Sequence, residues 1–75
     1  MEDIKVFIQK EVLNLAFKKV SFDESLVRSK LLDSIAMIDL LVMVEEKTGK
    51  KMPQHLFTED NMDSIDKIVE TFNSI

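Results

Sequence analysis

A single glycine, Gly49, and a single proline, Pro53, punctuate the seventy-five residues of this chain. Tight hairpin turns draw on glycine for positive φ and on proline for a preset φ, so a sheet of several strands would lack its turns. Helices joined by longer connections are what remains. The sequence therefore predicts an all-α fold: a small four-helix bundle, with three main helices, one short one and a long loop after the first. The length suits one domain over 1–75, of a size that buries only about 60% of the surface its unfolded chain exposes. Cysteine is absent, which excludes disulfides, thiolate metal sites and a cysteine nucleophile. A thiol, if function needs one, has to come from outside.

Hydrophobic spacing places the elements. Ile4, Ile8, Val12 and Leu15, widened by Phe7 and Ala16, predict a long first helix from Met1 to about Lys19. A second narrow stripe, Val6, Leu13 and Phe17, lies on its other side and calls for cover by a loop or a partner. "VSFDESLVRSKLL", Val20 to Leu32, lacks one clear period. It predicts a long connection pinned by Phe22, Leu26, Val27, Leu31 and Leu32, with Ser21 and Glu24 spaced as a capping box for one short turn.

The central helix should begin at Asp33 or Ser34 and end near Thr48, because Gly49 suits a left-handed stop and Lys47 and Lys50 suit the negative end. Thr58 then caps a single short turn after the link broken by Pro53. Ile65, Ile68, Val69, Phe72 and Ile75 form the apolar stripe of a last helix capped by Asp63 or Ser64, with Asp66, Lys67, Glu70 and Asn73 on its polar side.

Charge is divided unequally. The net charge is −4, and the residues from Asp33 onward carry all of it and more, while those before are slightly positive. Such a field repels nucleic acid and attracts basic protein surfaces. No run approaches the roughly 18 to 20 apolar residues of a membrane span, and "MEDIKVFIQK" is unlike a secretion signal. The expectations are a cytoplasmic monomer with neither nucleic-acid binding nor membrane insertion.

At about 100° per residue, Met37, Leu40, Leu41 and Val44 share the core side of the central helix. The opposite side mixes Ile35, Ile38 and Val42 with Asp39, Glu45 and Glu46, and Ser34 borders it. A central helix surrounded by neighbours explains this pattern. A docking surface, in which apolar contacts are steered by acids, explains it too. Little points to catalysis by the chain itself. His55 is the one histidine and sits beside the proline link, and neighbouring carboxylates such as Glu45 with Glu46 or Glu59 with Asp60 read as solvated faces.

The stretch "LLDSIAMIDLLVMVEEKTG" resembles the Asp-Ser-Leu motif and following helix of the acyl carrier proteins and their peptidyl and D-alanyl relatives. "MP" at Met52 to Pro53, "LFTEDN" at Leu56 to Asn61 and "SIDKIV" at Ser64 to Val69 are similar to later segments of that family, so the resemblance runs from about Ile4 to Phe72. Ile35 departs from the commoner leucine, Thr48 and Lys50 from usually apolar positions.

The resemblance implies a small four-helix carrier, not itself an enzyme, with 4′-phosphopantetheine attached to Ser34 by a phosphopantetheinyl transferase that uses coenzyme A. Asp33 would be either helix cap or transferase recognition residue. Ile35, Ile38, Asp39, Val42, Glu45 and Glu46 would dock partner enzymes. Cargo would travel as a thioester between fatty acid or polyketide-type enzymes. An aminoacyl, peptidyl or D-alanyl carrier loaded by an AMP-forming ligase is an alternative within the class. A helical adaptor without a prosthetic group, in which Asp33 and Ser34 only cap a helix, is an alternative outside it.

Overall fold

A computed structural model describes residues 3–75 of the chain. It is all-helical, with α1 at Ile4–Ala16, α2 at Ser34–Thr48, α3 at Glu59–Met62 and α4 at Ile65–Asn73, and a 3-10 turn at Gln54–Leu56 before α3. No strand occurs among the described residues. The core joins Ile8 and Val12 of α1, Met37, Leu40 and Val44 of α2, and Ile65, Ile68 and Phe72 of α4, all buried.

α1 is shorter than its apolar spacing predicts. Asp3 caps it, its carboxylate accepting the Lys5 N–H at 2.9 Å, and the expected start at Met1 lies outside the described residues. At the other end the helix stops at Ala16 rather than Lys19. Phe17 turns into the left-handed region at φ 57°, its N–H closing on the Leu13 carbonyl at 2.8 Å. A side chain in this conformation costs about 1 kcal/mol, and no glycine or proline advertised the stop. The second stripe is not roofed: Val6 is half-buried, but Leu13 is 43% exposed and Phe17 89% exposed.

The chain between α1 and α2 forms no helix. Leu26 and Leu32 are fully buried, as is Val20, while Phe22, Val27 and Leu31 pack partly against the core. Gln9 Nε2 donates to the Val20 carbonyl at 2.6 Å, which holds the start of this segment against α1. Half of the expected capping box forms. The Ser21 N–H donates to Glu24 Oε1 at 3.2 Å, while the Ser21 hydroxyl turns to Asp23 and the Glu24 N–H takes the Ser21 carbonyl.

α2 has the boundaries its local signals predict. Asp33 is the cap and Gly49, at φ 74°, is the stop. Its core side is buried at Met37, Leu40 and Val44, with Leu41 half-buried. Lys47 lies over the Phe7 ring, 5.2 Å from its centroid. Lys50 serves another helix than expected: its Nζ donates to the Phe72 carbonyl of α4 at 3.3 Å.

Thr58 caps α3, accepting the Asn61 N–H at 3.2 Å. Ser64, not Asp63, caps α4, accepting the Lys67 N–H at 3.1 Å. α4 buries Ile65, Ile68, Val69 and Phe72 but ends at Asn73, so Ile75 falls outside it and is 43% exposed. Asp66, on its first turn, pairs with Lys5 of α1 at 2.9 Å, and this contact pushes the Lys5 amine above its ordinary value.

Candidate functional site

Two oxygens stand at the head of α2, and the fold gives them different tasks. Asp33, in extended backbone, turns Oδ1 onto the Ala36 N–H at 2.8 Å, while its carbonyl accepts the Met37 N–H at 2.9 Å. The cap is thereby filled by the acid, and the hydroxyl is left over. Ser34 is the first helical residue, is exposed, and its Oγ makes no hydrogen bond among the described residues. The Ser34 and Ile35 N–H groups belong to the helix end that no intrahelical carbonyl can satisfy. A free hydroxyl therefore sits at the positive end of a 15-residue helix.

Beside it opens a cleft of about 170 Å³ lined by Val27, Ser34, Met37, Phe57, Thr58, Glu59 and Met62. Val27 comes from the long connection, Met37 from the first turn of α2, Phe57 from the link before α3, and Met62 from the end of α3. Its walls are apolar, and its polar groups are Ser34 and the two residues that open α3. Methionines suit such a site, because their unbranched side chains fill irregular space and rearrange at small cost.

On the open side of α2, Ile35 is 73%, Ile38 50% and Val42 45% exposed. Asp39 and Glu46 are exposed among them. The structure thus brings five of the six expected docking residues to one solvent-facing strip that begins at Ser34. Glu45 differs. It is half-buried, and its Oε2 accepts the Met52 N–H at 2.7 Å, so it ties α2 to the chain that follows Gly49.

Asp63, expected as a helix cap, is instead a buried junction. One oxygen, Oδ1, accepts the Ser25 hydroxyl at 2.8 Å and the Val27 and Arg28 N–H groups at 2.9 Å each. The Asp63 carbonyl also accepts the Leu26 N–H at 2.7 Å. Burial alone would raise its pKa. The Arg28 and Val27 N–H groups, the Ser25 hydroxyl and the Arg28 charge together outweigh that burial and hold the carboxyl below its usual value. No signal in the sequence pairs residue 63 with residues 25–28, because the partners are far apart along the chain and are ordinary loop residues.

Glu59 and Asp60 have a counter-ion that the sequence did not suggest. Arg28 Nη2 pairs with Asp60, and its Nε lies 3.5 Å from Glu59. All three are well exposed, so the pairs add little stability, but they lie alongside the cleft wall at Val27 and Glu59. Among the described residues no group of three or more histidines and carboxylates is placed to hold a metal ion. His55 is exposed in the 3-10 turn. No described helix is long and apolar enough to cross a membrane.

Compared with protein-family models and with curated proteins, the chain matches none.

Proposed function

We propose that this protein is an acyl carrier, working in the cytoplasm, whose Ser34 hydroxyl receives 4′-phosphopantetheine from coenzyme A. One observation carries the reading: the Ser34 hydroxyl is exposed and uncommitted, because Asp33 does the capping. A serine that served only as a cap would have its oxygen on a backbone N–H, as Ser64 does.

The residues present fit such a group. An anion joined to Ser34 Oγ lies where the free N–H groups of the first turn and the positive end of the helix dipole favour negative charge. When bound, the group supplies the thiol that a chain without cysteine lacks, and holds cargo on it as a thioester. The apolar walls at Val27, Met37, Phe57 and Met62 favour an apolar acyl cargo over an aminoacyl one. Asp39 and Glu46, interspersed with Ile35, Ile38 and Val42, suit brief contacts with basic, apolar partner surfaces: the transferase, a loading ligase and downstream biosynthetic enzymes. Exposed charges of this kind raise association rates and are screened by salt, which suits a carrier that must leave each partner quickly.

Intact-mass measurement after incubation with coenzyme A and a promiscuous phosphopantetheinyl transferase tests the proposal. The expected result is one phosphopantetheine adduct on the native chain and none on Ser34→Ala. An unmodified native chain would leave the helical adaptor as the better reading.

A further inference from the structure

The geometry points to Asp63 as a positioning residue for Ser34, one that fixes where the hydroxyl is presented although it stands on the loop before α4. This deepens the carrier reading and rests on it. The connection is a short series of hydrogen bonds. Asp63 Oδ1 gathers the Ser25 hydroxyl and the Val27 and Arg28 N–H groups, and the Asp63 carbonyl takes the Leu26 N–H. Both polar functions of one buried residue are therefore spent on four consecutive residues of the long connection.

That segment in turn fixes the approach to α2. The Leu26 carbonyl accepts the Leu32 N–H at 2.9 Å, and Leu32 directly precedes Asp33 and Ser34. Leu26 and Leu32 are both buried, so the link is anchored rather than free to swing. Between them the chain closes on itself: Ser25 Oγ accepts the Ser29 N–H at 3.1 Å, and Lys30 takes φ 63° with its N–H on the Val27 carbonyl at 2.9 Å. A left-handed residue that is not glycine persists only where its surroundings hold it. Asp63 holds residues 25–28, the first limb of this closed loop and the one that carries the Val27 carbonyl bonded to Lys30, and no helix otherwise constrains this stretch.

The same oxygen sets the cleft. Val27, whose N–H it accepts, is one wall, and Met62, its chain neighbour, is another. Loss of Asp63 would loosen the wall beside Ser34 and the backbone that delivers Ser34 together. A nucleophile displaced by about 1 Å reacts up to a hundredfold more slowly even when binding is intact. Most of the docking strip, from Ile38 onward, lies beyond the first turn of α2, and none of the Asp63 hydrogen bonds reaches it, so the effect belongs in kcat more than in KM.

The experiment compares wild type, Asp63→Ala, Asp63→Asn and Ser25→Ala at a temperature where circular dichroism shows each to be folded. Two quantities are read: kcat and KM for phosphopantetheine transfer to Ser34, and amide hydrogen exchange at Leu32 and Ala36. Asp63→Ala is expected to lower kcat about tenfold or more with KM little changed, and to speed exchange at both amides. Asp63→Asn, which keeps an acceptor at Oδ1, is expected to restore most of kcat. Wild-type kcat and exchange in Asp63→Ala, or an Asn variant as slow as the Ala variant, would overturn the inference. If Asp63→Ala does not fold, Ser25→Ala decides by the same two readouts, with a smaller fall expected and wild-type values on both refuting. A wild type that accepts no phosphopantetheine defeats the carrier proposal, and exchange at Leu32 and Ala36 then decides the positioning role alone.

Discussion

The tripeptide Asp-Ser-Ile occurs twice, at 33–35 opening α2 and at 63–65 opening α4, and the two copies are used in opposite ways. In the first, the acid caps, the serine is helical and open to solvent, and the isoleucine is 73% exposed. In the second, the serine caps, the acid is buried among loop donors, and the isoleucine is fully buried. The helix starts one residue later in the second copy. That shift turns a free hydroxyl into a committed one, so the surroundings, not the tripeptide, decide which serine is available for chemistry. The carrier proposal rests on the first copy, and the second is its internal control.

Substitutions at the two isoleucines should show the largest contrast in stability. Ile65 lies in the core, where truncation removes transferred surface and leaves a cavity, so Ile65→Ala should lower stability by about 3 kcal/mol. Ile35→Ala removes an exposed side chain and should change stability by less than about 0.5 kcal/mol. Chemical denaturation measures both. If Ile35→Ala nevertheless slows transfer by the transferase, the exposed isoleucine belongs to the docking strip. A loss of several kcal/mol at Ile35 would mean that something covers it.

The acids should differ next. Asp63→Ala leaves two backbone N–H groups and a hydroxyl without their acceptor in a partly buried place, a loss on the order of 2 kcal/mol. Its dependence on pH follows from the direction of its shift. The folded-state pKa is depressed by the Arg28 and Val27 N–H groups and the Ser25 hydroxyl that bond its oxygen, with a smaller contribution from the Arg28 charge, and these outweigh its burial. Its stabilisation is therefore present above the unfolded carboxylate value of about 3.9 and is lost as pH falls below that and through the folded value. Thermal unfolding followed from pH 7 downward should show wild type ahead of Asp63→Asn at neutral pH and the two curves converging in this acidic window. Parallel curves throughout would remove the charge from the account.

How much of this was legible in the sequence depends on how far apart the interacting residues are. The limits of α2 could be read because Asp33 and Gly49 act on their own turns. The strip of Ile35, Ile38 and Val42 could be read from helical spacing, though whether a neighbour covered it could not. The end of α1 could not be read, since Phe17 adopts a left-handed backbone without being glycine. The role of Glu45 was hidden because its partner, the Met52 N–H, lies beyond the helix end on a link whose path the sequence does not fix. Asp63 was hidden for the same reason over a longer distance: Asp and Ser both cap helices, and nothing local says that the acid has been claimed by residues 25–28. Which serine is free followed only once the caps were assigned.

The smallest contrast concerns the caps themselves, and it separates the two roles open to Asp33. Ser64→Ala removes the α4 cap and should lower stability by about 1 kcal/mol while leaving the adduct on Ser34 in place. Asp33→Ala removes the α2 cap and should lower stability by a similar amount, about 1 kcal/mol. Transfer to Ser34 is then measured on both variants at a temperature where circular dichroism shows each to be folded. If Asp33 acts only as a cap, Asp33→Ala and Ser64→Ala should accept phosphopantetheine at comparable rates once stability is matched. If the transferase also recognises the carboxylate, Asp33→Ala should be slower than Ser64→Ala at equal stability, and Asp33→Asn, which retains a capping oxygen without the charge, should be slow as well. A fast Asp33→Asn with a slow Asp33→Ala would assign the whole effect to the geometry of the first turn.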